Sequence, residues 1–217
     1  MRGVLVLDFD GTVTTADVGD RFCDRFAPTG WRDLLPGWES GTVPLATLQD
    51  DMWGRIRVDR ARAVDAVREM IALRPGLDVL LDGAATRGVP VWLASGGFDF
   101  YIEALLGPTL GRFDRSWFNQ VDFDPAGLRL AFPHHDLACG RCTPCKGLVC
   151  DLARAAGGRV VFAGDGHSDR CAVARADALW AVRGSALARI ARREGRAVTE
   201  FDRLDELLVA LDGEGDG

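Results

Sequence analysis

Four short, nearly unbroken apolar runs punctuate this chain: Val4–Leu7, residues 89–94, residues 160–163 and Ala178–Val182. Continuous apolar runs of this length mark strands covered on both faces, as in a parallel sheet. Between the first two runs the spacing turns helical. Residues 17–26 carry Val18, Phe22 and Phe26 on one face, and Ala27-Pro28-Thr29-Gly30 ends them. Residues 31–35 form a short segment closed by Pro36-Gly37, and residues 42–56 and 59–73 read as two amphipathic helices before Pro75-Gly76. No convincing strand falls in this stretch, so residues 15–76 are expected to be a helical insertion beside the sheet.

Residues 77–86 then read as a crossover helix ended by Gly88. The run 89–94 leads into Ser95-Gly96-Gly97-Phe98, expected to be a strand-to-helix turn, with a helix starting near Asp99. Residues 117–123 and 128–132 alternate enough for a hairpin around Pro125-Ala126-Gly127, the first part of an insertion spanning 110–145. Helices are expected at 146–156, up to Val173, at 186–194 and at 204–211, with a disordered tail over 212–217. Alternating strands and helices predict an α/β fold, a Rossmann-like parallel sheet built from residues 1–14 and 77–217.

Composition changes this picture in two places. With 217 residues, 47% of them apolar, and a formal charge of −6, the chain has ample core and poor prospects for nonspecific nucleic-acid binding. No apolar run is long enough to span a bilayer and no secretory signal is visible, so a cytoplasmic protein without membrane contact is expected. The second point is sharper. Of 26 basic residues, every one is arginine except Lys146. Arginine and lysine are not interchangeable at tight sites; codon bias with one chance survivor is the competing explanation.

The chemistry gathers at strand ends. Asp8 and Asp10 lie two apart at the end of the first run, so both would project the same way. Adjacent carboxylates repel and call for a cation or a shared proton, and Mg²⁺ suits an all-oxygen site. A strand that merely ends in polar residues is the plainer alternative. Ser95 with its two glycines ends a second run, and Gly164-Asp165-Gly166-His167-Ser168-Asp169 follows a third. Parallel strands bring such ends to one edge of the sheet. Four carboxylates, a hydroxyl, glycine amides and a lone lysine suit phosphoryl transfer, where positioning and charge neutralisation do most of the work.

These segments resemble the four motifs of the haloacid dehalogenase (HAD) superfamily of phosphatases: Asp8-Phe9-Asp10-Gly11-Thr12-Val13-Thr14, Ser95, Lys146 and Gly164-Asp165-Gly166-His167-Ser168-Asp169. The insertion after the first motif is similar to the C1 cap of subfamily IB. Asp17, Ser95-Gly96-Gly97-Phe98-Asp99-Phe100 and Pro133-His134 resemble the 2-hydroxy-3-keto-5-methylthiopentenyl-1-phosphate phosphatase-like and phosphoserine phosphatase-like group. The resemblance implies a Mg²⁺-dependent phosphomonoesterase acting on a small phosphorylated metabolite, as a monomer or homodimer. Asp8 would be the nucleophile that forms an aspartyl-phosphate, and Asp10 the general acid and base. Asp8, Asp165 and the Asp10 carbonyl would bind Mg²⁺, with Asp169 behind them. Ser95, Gly96 and Lys146 would hold the phosphoryl oxygens. Asp10 also sets the chain apart from the dehalogenases, which lack that acid. A phosphotransferase or mutase using the same intermediate, and a non-catalytic phosphate-binding protein, are the alternatives.

Two features stay open at the sequence level. Cys139, Cys142 and Cys145 recur every third residue, and with His134 or His135 they could form a structural Cys₃His zinc site; reduced, partly buried thiols are the alternative. Cys23, Cys150 and Cys171 read as core residues, and His167 as a loop residue. Asp17 could read the leaving group or simply cap a helix. Phe98 is, with Asp17, a candidate for substrate specificity; with Trp31, Trp38 and Trp53 it could line the interface between insertion and core, ordinary core of the insertion being the alternative for the tryptophans.

Overall fold

A computed structural model describes residues 3–134 and 137–212. His135 and the expected tail after Asp212 lie outside the described residues. Strand β1 (Val4–Leu7) is buried along its whole length. A loop through Gly11 leads to the insertion, whose helices are α1 (Val18–Phe26), α2 (Leu35–Ser40), α3 (Leu45–Trp53) and α4 (Arg60–Met70). The chain returns through α5 (Leu77–Arg87), β2 (Val91–Phe98), α6 (Asp99–Leu106), β3 (Arg115–Asp124) and β4 (Gly127–Ala131). It finishes with α7 (Lys146–Gly157), β5 (Val160–Gly164), α8 (Arg170–Val173), β6 (Ala178–Val182), α9 (Ala186–Arg193), β7 (Thr199–Phe201) and α10 (Leu208–Leu211).

The seven strands form one sheet in the order β4-β3-β2-β1-β5-β6-β7. Among the described residues, only the β3–β4 pair of this sheet is antiparallel. Successive side chains of β1 point to opposite faces, and the core divides accordingly. Leu5 and Leu7 join a cluster with α5, α6 and the insertion. Val4 and Val6 join a second cluster with α7 and α9. Strand β1 therefore lies mid-sheet with β2 on one side and β5 on the other, and the direction of winding reverses there. Ligands of open α/β sheets bind at the carboxyl edge of such a point.

The insertion holds onto the core through aromatic rings. Phe22 of α1 stacks on Trp53 of α3 with centroids 4.7 Å apart, and Trp53 meets Phe98 at the end of β2 at 4.6 Å. Such pairs add about 0.5–1.5 kcal/mol beyond the area they bury. Trp31 is buried within the insertion.

The structure departs from the sequence pattern in three places. Pro36 does not end a segment; it stands in the first turn of α2, where a missing N–H costs nothing. Strand β2 continues through Ser95, Gly96 and Gly97 to Phe98, with a register shift against β3 beyond Ala94, so these residues belong to an irregular strand end. Strand β7 has only three residues and exists by pairing with β6, a long-range contact that no local pattern reports.

Candidate active site

Three strand ends meet beside β1. Asp8 and Asp10 leave β1 in a loop that turns at Gly11, where φ is +74°. A Cβ at Gly11 would stand 2.3 Å from Asp165 Oδ2, so glycine lets the first and last acidic segments approach. Arg74 clamps the same loop by donating from Nε to the Thr12 carbonyl (2.7 Å) and from Nη2 to the Gly11 carbonyl (2.8 Å).

Lys146 starts α7, and its side chain is 2% exposed. Its Nζ donates to Asp8 Oδ1 and to Asp169 Oδ1, both at 2.5 Å, and to Ser168 Oγ at 2.9 Å. The other Asp169 oxygen accepts from the amides of Asp165 and Gly166 at 2.8 and 2.9 Å. Asp169 thus fixes both the lysine and the loop that carries Asp165. Thr12 Oγ1 donates to Asp8 Oδ2 at 3.1 Å.

Asp10 is held separately. Its Oδ2 accepts from Ser95 Oγ at 3.0 Å and Tyr101 Oη at 3.1 Å, and its Oδ1 from the Val18 amide at 3.3 Å. Ser95 Oγ accepts in turn from the Gly97 amide at 2.8 Å. Gln49 and Asn119 both donate to the Gly96 carbonyl, at 2.8 and 2.9 Å, fixing the peptide between the two glycines.

Burial sets the electrostatics. It raises the Asp8 carboxyl to about 7, Asp169 adding repulsion and Lys146 opposing it. It raises Asp10 to about 8, with help from Asp17 and Asp8. Asp165 is pushed well above its usual range by burial, then by Asp8 and Asp169. Burial also acts against the Lys146 ammonium, but Asp169 and Asp8 outweigh it and hold its pKa above the usual lysine value. Asp8, Asp165 and Asp169 place oxygens within 4.8 Å of one another. Four carboxyl groups crowd against one ammonium, so ionising all of them calls for further positive charge. The site therefore fits a hard divalent cation such as Mg²⁺ held by oxygen ligands.

A cavity of about 310 Å³ opens over these groups. Asp8, Asp10, Lys146 and Asp165 form its floor, and Leu45, Leu48, Met52 and Trp53 of α3 give it an apolar wall. Trp38 and Glu39 of α2 face His167 across the mouth, the Trp38 and His167 rings meeting edge to face at 6.2 Å.

The predicted residues do not all reach the cavity. Gly96 and Asp17 line it, and Asp17 also caps α1 by accepting from the Asp20 amide at 2.8 Å. Ser95 is completely buried, with its hydroxyl turned onto Asp10. Phe98 is completely buried too and supports the wall from behind Trp53, whereas Tyr101 lines the cavity beside Trp53. Cys139, Cys142 and Cys145 come together beside the site with Cys171 as the fourth member, and His134 is not part of that group. Sequence reasoning missed Tyr101, Ser168, Arg74 and Cys171. Ser168 alone had a local signal, standing immediately before Asp169 inside the last acidic motif.

The family model of the haloacid dehalogenase-like hydrolases matches residues 5–174, and the chain belongs to that family. It is 30% identical to the 2-hydroxy-3-keto-5-methylthiopentenyl-1-phosphate phosphatase of Geobacillus thermodenitrificans, the match covering 80% of each chain. It is 27% identical to the enzyme of the same name from Exiguobacterium sibiricum, over 95% of each. The bifunctional enzyme MtnB/MtnX of Bacillus licheniformis is 28% identical over 77% of this chain, which spans 40% of that longer protein. Among solved structures, a phosphoserine phosphatase from T. onnurineus superposes with a TM-score of 0.68 at 24% identity, covering 98% of this chain and 96% of that one. A phospho-aspartyl intermediate analogue of phosphoserine phosphatase gives 0.70 at 18%, covering 97% and 99%. At these identities the structural likeness is one of fold. No helix among the described residues is long and apolar enough to cross a membrane.

Proposed function

We propose that this hydrolase is a phosphomonoesterase that moves the phosphoryl group of a small metabolite onto Asp8 and then onto water. The observation that carries the reading is the shared ammonium: Lys146 Nζ bonds both Asp8 and Asp169 in a buried pocket. There it can hold a phosphoryl oxygen while favouring the ionised, attacking form of Asp8 against the burial that raises it. Mg²⁺ held by Asp8, Asp165 and the Asp10 carbonyl would supply charge neutralisation at the phosphoryl group.

The chain's own groups divide the rest of the work. An Asp8 oxygen attacks phosphorus, and the bond to the leaving oxygen breaks. Asp10, whose proton affinity burial and the neighbouring Asp17 and Asp8 raise, gives its proton to that oxygen. Asp10 then takes a proton from the attacking water, the bond from Asp8 to phosphorus breaks, and phosphate leaves. Ser95 and Tyr101 keep the Asp10 carboxyl aimed at the cavity. Gly96 and Lys146 flank the place for the phosphoryl oxygens.

The insertion over residues 15–76 acts as a cap. Its apolar wall of Leu45, Leu48 and Met52 and its acidic Asp17 suit a leaving group with an apolar part and hydroxyl or amine groups. The names of the relatives, phosphatases of a methylthio-bearing keto-pentenyl phosphate, support that chemistry. The test is phosphate release from a panel of phosphomonoesters with added Mg²⁺ and with Mg²⁺ withheld. Metal-dependent turnover supports the proposal; metal-independent turnover contradicts the assigned cation.

A further inference from the structure

Beside the active site, four sulfurs converge from two separate parts of the chain. Cys139, Cys142 and Cys145 come from the loop that enters α7, and Cys171 from α8. All four Sγ atoms lie within 4.8 Å of one another. The Cys139–Cys142 pair stands at 3.2 Å, and both stand 3.9 Å from Cys171. A tetrahedral ion bound to sulfur at about 2.3 Å sets its ligands about 3.8 Å apart. A four-iron cluster, which also uses closely spaced cysteines, needs a wider cage because a cubane fills it.

We propose that Cys139, Cys142, Cys145 and Cys171 form a tetrahedral Cys₄ site for a single Zn²⁺ ion that ties the lysine helix to the Asp169 loop. Thiolate sulfur selects zinc over the hard cations that the carboxylate site suits. With four protein ligands the coordination is closed, which is the structural class of zinc site.

The location gives the ion its work. Cys145 immediately precedes Lys146, and Cys171 stands two residues after Asp169. Gly147 lies so near α8 that a Cβ there would fall 2.4 Å from the Cys171 carbonyl oxygen. The ion therefore braces the two elements whose side chains meet in the Lys146–Asp169 pair. It also braces the cap. Arg141, next to Cys142, donates to the Ser40 carbonyl at 3.4 Å, and its own carbonyl accepts from the Leu45 amide at 2.8 Å. Arg170, next to Cys171, donates to the carbonyls of Glu39 and Trp38 at 3.1 and 3.4 Å. Two arginines beside the cysteines thus grip the carbonyls of Trp38, Glu39 and Ser40 in the last turn of α2.

Metal analysis tests this on the whole chain, produced with zinc in the medium and purified under reducing conditions. The expected result is about one zinc per chain. Cobalt substitution should give the ligand-field spectrum of a tetrahedral tetrathiolate site in the unmutated protein. Cys171→Ser should lose the bound zinc, while His134→Ala keeps it. Purified protein without zinc and with all six thiols titrating would overturn the site, as would a Cys139–Cys142 disulfide or stoichiometric iron with sulfide. Zinc retained by Cys171→Ser but lost by His134→Ala would overturn the assigned fourth ligand. None of these outcomes depends on turnover.

Discussion

Tyr101 reaches from the first turn of α6 to donate its phenol to Asp10 Oδ2 at 3.1 Å. With Ser95 on the same oxygen, it aims the carboxyl proposed to shuttle the proton. Tyr101→Phe removes this bond and little else, since the ring packs against Phe9 and Phe100. A bond of this kind contributes about 1–1.5 kcal/mol. Steady-state kinetics should show kcat reduced roughly five- to tenfold, with KM little changed.

Asp17 serves two ends at once, as cap of α1 and as a wall of the cavity. Asparagine caps a helix about as well as aspartate, so Asp17→Asn should change stability by less than about 0.5 kcal/mol. The ranking of substrates should nevertheless shift, measured as kcat/KM across a phosphomonoester panel. A parallel loss for every substrate would assign Asp17 to the helix alone.

Lys146 is almost wholly buried, and its ammonium fits between two carboxylates at 2.5 Å. Lys146→Arg keeps the charge but adds bulk where nothing can yield. Overpacking of this kind costs about 1–3 kcal/mol, readable by denaturant unfolding. Activity should fall on the order of a hundredfold or more, as when one donor to a developing charge is removed.

Excess carboxylate at the floor means that a divalent cation should stabilise the fold. At a hundred times its Kd, Mg²⁺ should add about 2.7 kcal/mol, a rise of roughly 5–10 °C in Tm for a chain of this size. Asp165→Asn should abolish most of that shift in the same thermal scan.

Much of this arrangement was written locally. Val4–Leu7 is apolar throughout because both faces of β1 are covered, and Asp8 and Asp10 share a direction because strands repeat every two residues. Lys146 stood out as the lone lysine of an arginine-rich chain. What sequence concealed was contact between distant elements. Tyr101 reads as one more aromatic on an amphipathic helix, and only the approach of α6 to the loop after β1 gives its hydroxyl a partner. Cys171 lies 32 residues beyond Cys139, and no spacing rule joins them. Ser95 sits where a phosphate ligand was expected, yet the irregular end of β2 turns its hydroxyl inward to Asp10.

The most direct test of the central claim replaces Asp8 with asparagine and measures phosphate release beside the unmutated chain, with Mg²⁺ present. Asparagine keeps the shape and the contact with Thr12 but cannot attack phosphorus. Phosphate release should vanish while the thermal unfolding transition stays cooperative. Turnover that survives in Asp8→Asn would contradict the aspartyl-phosphate route and move the nucleophile elsewhere.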